Sequence, residues 1–210
     1  MDQDRPRVTR TRSRRLVTLI VLFAVAVAAV LLSRHTKPET IATTRVPSDA
    51  TSLPVLVDKA PPVTATAWLN TAPLGAQDIE GKVVLYDFWT FGCINCVHTL
   101  SHLKAWNERY RADGLVVLSI HTPEFSYEAD STNVRRFLEE NNITYPVALD
   151  PERAIWHAFN NRYWPAFYLH DRDGRRRYQR FGEGAYEQTE DIIRLLLGVD
   201  ANSPRAVVTT

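Results

Sequence analysis

The chain has 210 residues, 45% hydrophobic and 23% charged, with a formal net charge of +1. That suffices for one domain of ordinary size and excludes wholesale disorder, and two cysteines exclude both a disulfide framework and a four-cysteine zinc site. The near-neutral total hides a basic stub, residues 1–15 with six arginines against two aspartates, and a mildly acidic main part, residues 61–210 with 15 basic against 19 acidic groups. That balance argues against nucleic acid as a partner, because phosphate binding needs clustered positive charge.

Residues 1–15 read as a basic cytoplasmic segment. Leu16 to Leu32 is an uncharged apolar run of 17 residues. As a helix it would span about 25 Å, slightly short of a hydrocarbon core of about 30 Å. Snorkelling by Arg14, Arg15 and Arg34 covers the shortfall. The preceding arginines place the N-terminus in the cytoplasm and the rest outside, so the expectation is a single-pass cell-membrane protein with an extracytoplasmic domain. The rival reading is a cleaved signal sequence with a small-x-small site at Ala26-Val27-Ala28, but the apolar run continues past it. Residues 33–65, rich in Pro and Thr, read as a linker that from about Leu53 is free to fold back onto the domain.

The domain is expected over residues 66–198. Lys82 to Trp89 is apolar and rich in β-formers, the mark of a buried central strand. From Cys96 the apolar residues Val97, Leu100, Leu103, Trp106 and Tyr110 recur at helical spacing, and Gly114 ends that helix. Leu115 to Ile120 is a second buried strand, Asn133 to Glu140 a charged amphipathic helix and Tyr145 to Leu149 a short strand; Pro151 is placed in the first turn of another helix. Ala166 to His170 and Arg175 to Phe181 form a hairpin across Asp173-Gly174, and Glu187 to Leu197 closes the domain as an amphipathic helix. Residues 199–210 read as a frayed tail. The alternation gives an α/β sheet covered on both faces.

Both cysteines lie in one motif, Cys93-Ile94-Asn95-Cys96, between a buried strand and a helix. A helix N-terminus has unpaired N–H groups and partial positive charge, which stabilise a thiolate. Cys93 at that terminus reads as the exposed nucleophile, and Cys96, one turn in, as the shielded thiol that resolves a mixed disulfide. The structural alternatives are a bridge over so short a loop, which gains little, or half a metal site with no second cysteine pair. Asp87 lies in the apolar strand six residues before Cys93. Burial should raise its pKa and let it accept the Cys96 proton; the plainer alternative is a buried Asp satisfied by local hydrogen bonds.

Asp87-Phe88-Trp89-Thr90-Phe91-Gly92-Cys93-Ile94-Asn95-Cys96 resembles the active-site segment of thioredoxin-fold proteins. Together with LVVLSIHTPEF, NVRRFLEENNITYPVALD, AIWHAFNNRYWPAFYLHDRDGR and FGEG it resembles the extracytoplasmic thioredoxin-like domains of the DipZ and TlpA type, over about residues 66–198. The resemblance implies a thioredoxin-like fold, a central mixed sheet flanked by helices. It also implies a cis-proline beside the disulfide at Pro165, with the backbone of Trp164 open to an extended substrate segment. Trp89 and Glu124 are carried along as further site candidates. Gly92 stands where thioredoxins usually have Trp, and Ile94-Asn95 replaces Gly-Pro, so redox potential and docking are not inherited. DipZ proteins place a multi-span electron-transfer domain before this one; here a single apolar run implies a separate membrane electron donor of the DipZ/CcdA type.

Weaker candidates are Glu183, between two glycines, equally readable as an exposed loop carboxylate, and the pair His98 and His102 at i, i+4, a spacing that can bind metal but reads first as a solvated polar face opposite the apolar stripe. The Asn142-Ile143-Thr144 sequon has meaning only in a glycosylating host. The expectation is a membrane-tethered thiol-disulfide oxidoreductase acting on protein thiols and disulfides, without metal or cofactor, and as a reductase. The alternatives are a peroxiredoxin-like peroxidase, for which the proline position of Pro-x-x-x-Thr-x-x-Cys holds Tyr86, and a copper-delivery protein using both thiols and His.

Overall fold

The computed structural model describes residues 49–209. The basic segment, the apolar run 16–32 and the first part of the linker lie outside them. Among the described residues no helix is long and apolar enough to cross a membrane.

Six strands form one mixed sheet in the order β1-β4-β3-β2-β5-β6. They are β1 (Ala67–Leu69), β2 (Val83–Trp89), β3 (Leu115–His121), β4 (Val147–Leu149), β5 (Ala166–His170) and β6 (Arg176–Phe181). β2 and β3 pair in parallel, as do β3 and β4, whereas β5 runs antiparallel to both β2 and β6. Every residue of β2 is buried, as an apolar run between two covered faces requires.

Strand alternation divides the core. Val83, Leu85 and Trp89 face one layer, with Leu100, Leu103 and Trp106 of α2 (Ile94–Tyr110), Leu138 of α3 (Ser131–Glu140) and Ile193 of α5 (Tyr186–Leu197). Val84, Tyr86 and Phe88 face the other, with Ile155 and Trp156 of α4 (Ala154–Ala158) and with Phe159. A short helix, α1 (Ala76–Ile79), precedes β2. Asp87 belongs by alternation to the α2 face, the face of Cys96.

Three expectations shift. Pro151 does not open a helix: it lies in a turn, and α4 begins at Ala154, where the Asp150 carboxylate accepts the N–H groups of Ile155 and Trp156 at 2.9 Å each. A carboxylate five and six residues before these N–H groups caps the first turn, so the helix starts where that side chain reaches. The strand read from Tyr145 is hydrogen-bonded only over Val147–Leu149, because Pro146 has no N–H to give the ladder.

The tail does not fray. Arg194, buried, donates to the carbonyls of Asp200, Ala201, Ser203 and Pro204, and Arg205 pairs with Glu190 and Asp191. The end of the linker is held in the same way. Arg177, also buried, donates to the carbonyls of Ala50 and Leu53 at 2.6 Å each while pairing with Asp171 at 2.8 Å, and Leu53 joins the core.

Candidate active site

The end of β2 delivers Thr90-Phe91-Gly92 to the start of α2, where Cys93 is the N-cap. Its sulfur accepts the N–H of Cys96 at 3.4 Å, within the limit for a sulfur acceptor, and its carbonyl accepts the N–H of Val97. Both cysteines are free thiols; Cys93 is partly exposed and Cys96 fully buried. Burial pushes the Cys96 thiol far above its ordinary value, reinforced by its contact with the Cys93 sulfur and by the charges of Cys93 and Asp87.

Asp87 is completely buried two residues before Trp89 on the same strand. Ser119, its register partner across β2 and β3, donates its hydroxyl to one carboxyl oxygen at 2.6 Å; the other has no hydrogen-bond partner. Burial raises this acid to about 7, against the pull of the Ser119 hydrogen bond. The Asp87 charge adds to the effect of burial in disfavouring a thiolate at Cys96.

The peptide bond between Trp164 and Pro165 is cis. Trp164 packs on Trp156 with ring centres 4.2 Å apart and donates its indole N–H to the Thr122 carbonyl at 3.0 Å. The Pro165 carbonyl accepts the N–H of Gly182, which ties this turn to the glycine-flanked loop of Glu183. Glu183 in turn meets His98 at 2.9 Å, a contact between half-exposed groups.

The remaining candidates separate. Trp89 is fully buried with its ring edge-on to His121, and its indole N–H has no partner. Glu124 is exposed, and only its backbone N–H faces inward. His98 turns to Glu183 while His102 stacks on Tyr186 with ring centres 3.7 Å apart, so the two imidazoles serve different neighbours.

The sequence reading passed over a polar cluster behind the cysteine loop. Glu128, four residues beyond Glu124, is fully buried, and its Oε2 accepts the N–H groups of Glu124 and Phe125 at 2.6 and 3.0 Å. His121 is buried beside it, stacked on Phe91, with its Nε2 3.3 Å from the Thr90 hydroxyl. Burial holds its imidazole down at about 4, with the Glu128 charge opposing. A Cβ placed on Gly92 would collide with Oε1 of Glu128 and lie 2.8 Å from the Tyr127 hydroxyl. The only trace of this in the sequence is Gly92 itself, directly before Cys93.

Comparisons with known proteins agree with this geometry. The model described as the AhpC/TSA family matches residues 56–179. Protein DipZ of Mycobacterium bovis is 42% identical over 152 residues, covering 69% of this chain and 22% of that protein. The chain therefore spans about a fifth of that relative's length. Thiol-disulfide oxidoreductase YkuV of Bacillus subtilis is 29% identical over 131 residues, 62% of this chain and 88% of that one. Among solved structures, a thioredoxin-like protein in its oxidised form superposes with a TM-score of 0.62 at 28% identity, covering 68% of this chain and 96% of that one.

Proposed function

We propose that this chain, which belongs to the AhpC/TSA family and carries a thioredoxin-like domain of the DipZ/TlpA type, is a thiol-disulfide oxidoreductase that reduces protein disulfides outside the cytoplasm while tethered to the membrane. Cys93 attacks a substrate disulfide; one substrate sulfur becomes bonded to Cys93 and the other leaves as a thiolate that takes up a proton. Cys96 then loses its proton to Asp87 and attacks the Cys93 sulfur. A Cys93–Cys96 disulfide forms, the substrate leaves as a dithiol, and two electrons have passed from the protein to the substrate. A membrane dithiol donor of the DipZ/CcdA type restores the pair.

One observation carries the mechanism: behind a partly exposed Cys93 lies a buried thiol that gives up its proton with difficulty, next to a buried acid raised to about 7. A group with that value can take the proton and release it again at neutral pH. The backbone at Trp164 beside Pro165 and the exposed Ile94 form the proposed docking edge. The apolar run 16–32 after a basic segment supports the tether, which raises the effective concentration of envelope partners.

Reduction of insulin by the full chain and its Cys93→Ser variant tests the chemistry; undiminished activity in the variant would sink it. Alkylation trapping in living cells tests the direction. A mainly reduced pair is expected, and a fully oxidised pair would contradict the reductase role.

A further inference from the structure

We propose that Glu128 is a positioning residue that makes the Cys93–Cys96 pair a stronger reductant, and that Gly92 is a glycine because this carboxylate occupies its side-chain space. The inference rests on the reading of the two cysteines as a dithiol–disulfide pair.

Three observations meet at this point. Glu128 is fully buried, and its Oε2 is fixed by two main-chain N–H groups of its own turn. Its Oε1 has no hydrogen-bond partner and stands over Gly92, where a Cβ would collide with it. Gly92 itself does not have a left-handed backbone conformation, so space rather than φ calls for a glycine there. The chain continues from Gly92 directly into Cys93, the N-cap of α2.

The consequence is electrostatic. Oxidation turns two thiols, in equilibrium with thiolates, into a neutral disulfide. A negative charge fixed beside the segment where thiolate charge develops disfavours the reduced side and leaves the disulfide untouched. The helix N-terminus acts in the opposite sense, stabilising the thiolate. Being buried, the carboxylate is little screened by salt. His121 feels the Glu128 charge, but burial keeps its imidazole neutral at pH 7, so it does not cancel that charge. Glu128 thus tips the exchange toward electron donation: the protein dithiol gives two electrons and two protons to a substrate disulfide, which becomes two thiols.

The test is the equilibrium constant of the full chain with glutathione and glutathione disulfide, read by alkylation of the remaining thiols. Glu128→Gln keeps the shape and an oxygen for the turn but removes the charge. At alkaline pH, where thiols ionise, it should shift the constant toward the reduced protein on the order of tenfold, and the shift should persist at high salt. A constant within twofold of the wild type overturns the proposal, whereas a wild-type chain that does not equilibrate with glutathione at all overturns the oxidoreductase reading instead. Should Glu128→Gln fail to fold, Gly92→Ala decides. Its methyl group must push Oε1 away and move the constant in the same direction. An unmoved constant in Gly92→Ala refutes the inference.

Discussion

Ser119 and Asp87 are register partners across β2 and β3, and the Ser119 hydroxyl donates to the Asp87 carboxyl at 2.6 Å. This is the one hydrogen bond that the Asp87 side chain receives, since its second oxygen is unpartnered in a fully buried site. The acid is therefore held uncharged further up the pH scale than an exposed one, to about 7 from an ordinary 3.8.

The first prediction follows from linkage. Between 3.8 and about 7 the folded chain holds a proton on Asp87 that the unfolded chain has released. Stability contributed by the protonated acid is present at low pH and is lost as pH rises through about 7. Asp87→Asn should therefore be more stable than the wild type at pH 8, by about 1–3 kcal/mol, and the two should converge near pH 4. Denaturant titrations at the two pH values measure this. The same variant should slow resolution of the mixed disulfide, with the loss greatest above neutrality, where the wild-type acid is free to accept a proton.

Cys96→Ser should accumulate a covalent Cys93–substrate disulfide, because attack by Cys93 remains and resolution is lost. Cys93→Ser should accumulate none, since Cys96 is fully buried. Non-reducing gels with a disulfide-bonded protein substrate distinguish them.

His121 and His170 are both held near 4 by burial, against an ordinary 6.5. In the window between, the unfolded chain binds protons that the folded chain refuses. The stability associated with these neutral imidazoles is present above 6.5 and is lost as pH falls toward 4. With the opposing contribution of Asp87 removed in Asp87→Asn, the urea midpoint should drop between pH 7 and pH 4.5. His121→Gln and His170→Gln should each flatten that drop, and an unchanged pH dependence would count against the account.

Arg177→Ala should cost about 3 kcal/mol, because it removes the buried cation that pairs with Asp171 and the guanidinium donor to the carbonyls of Ala50 and Leu53. Hydrogen exchange should rise first in residues 50–57, which Arg177 fastens to β6, before the central strands lose protection.

Most of the fold is legible locally. The unbroken apolar run of β2 encodes a strand covered on both faces, and the three- and four-residue spacing along α2 encodes its buried side. The Cys-x-x-Cys at that strand–helix junction names the chemistry, because the helix N-terminus and the short spacing are local facts. Helix boundaries were less legible where a side chain from outside sets them, as Asp150 does for α4.

What only the tertiary structure decided is which polar groups meet. Glu124 and Glu128 are alike in the sequence, yet the path of one turn exposes the first and buries the second against Gly92. Ser119 becomes the partner of Asp87 only through strand register, and Arg177 and Arg194 fasten the two ends of the domain through carbonyls that carry no side-chain signature. Hydrophobic periodicity states which face a residue turns inward, because burial of apolar area depends on that face alone. A hydrogen bond or a buried charge depends on the distance and direction to a second group far along the chain, and that is fixed only when the elements have packed.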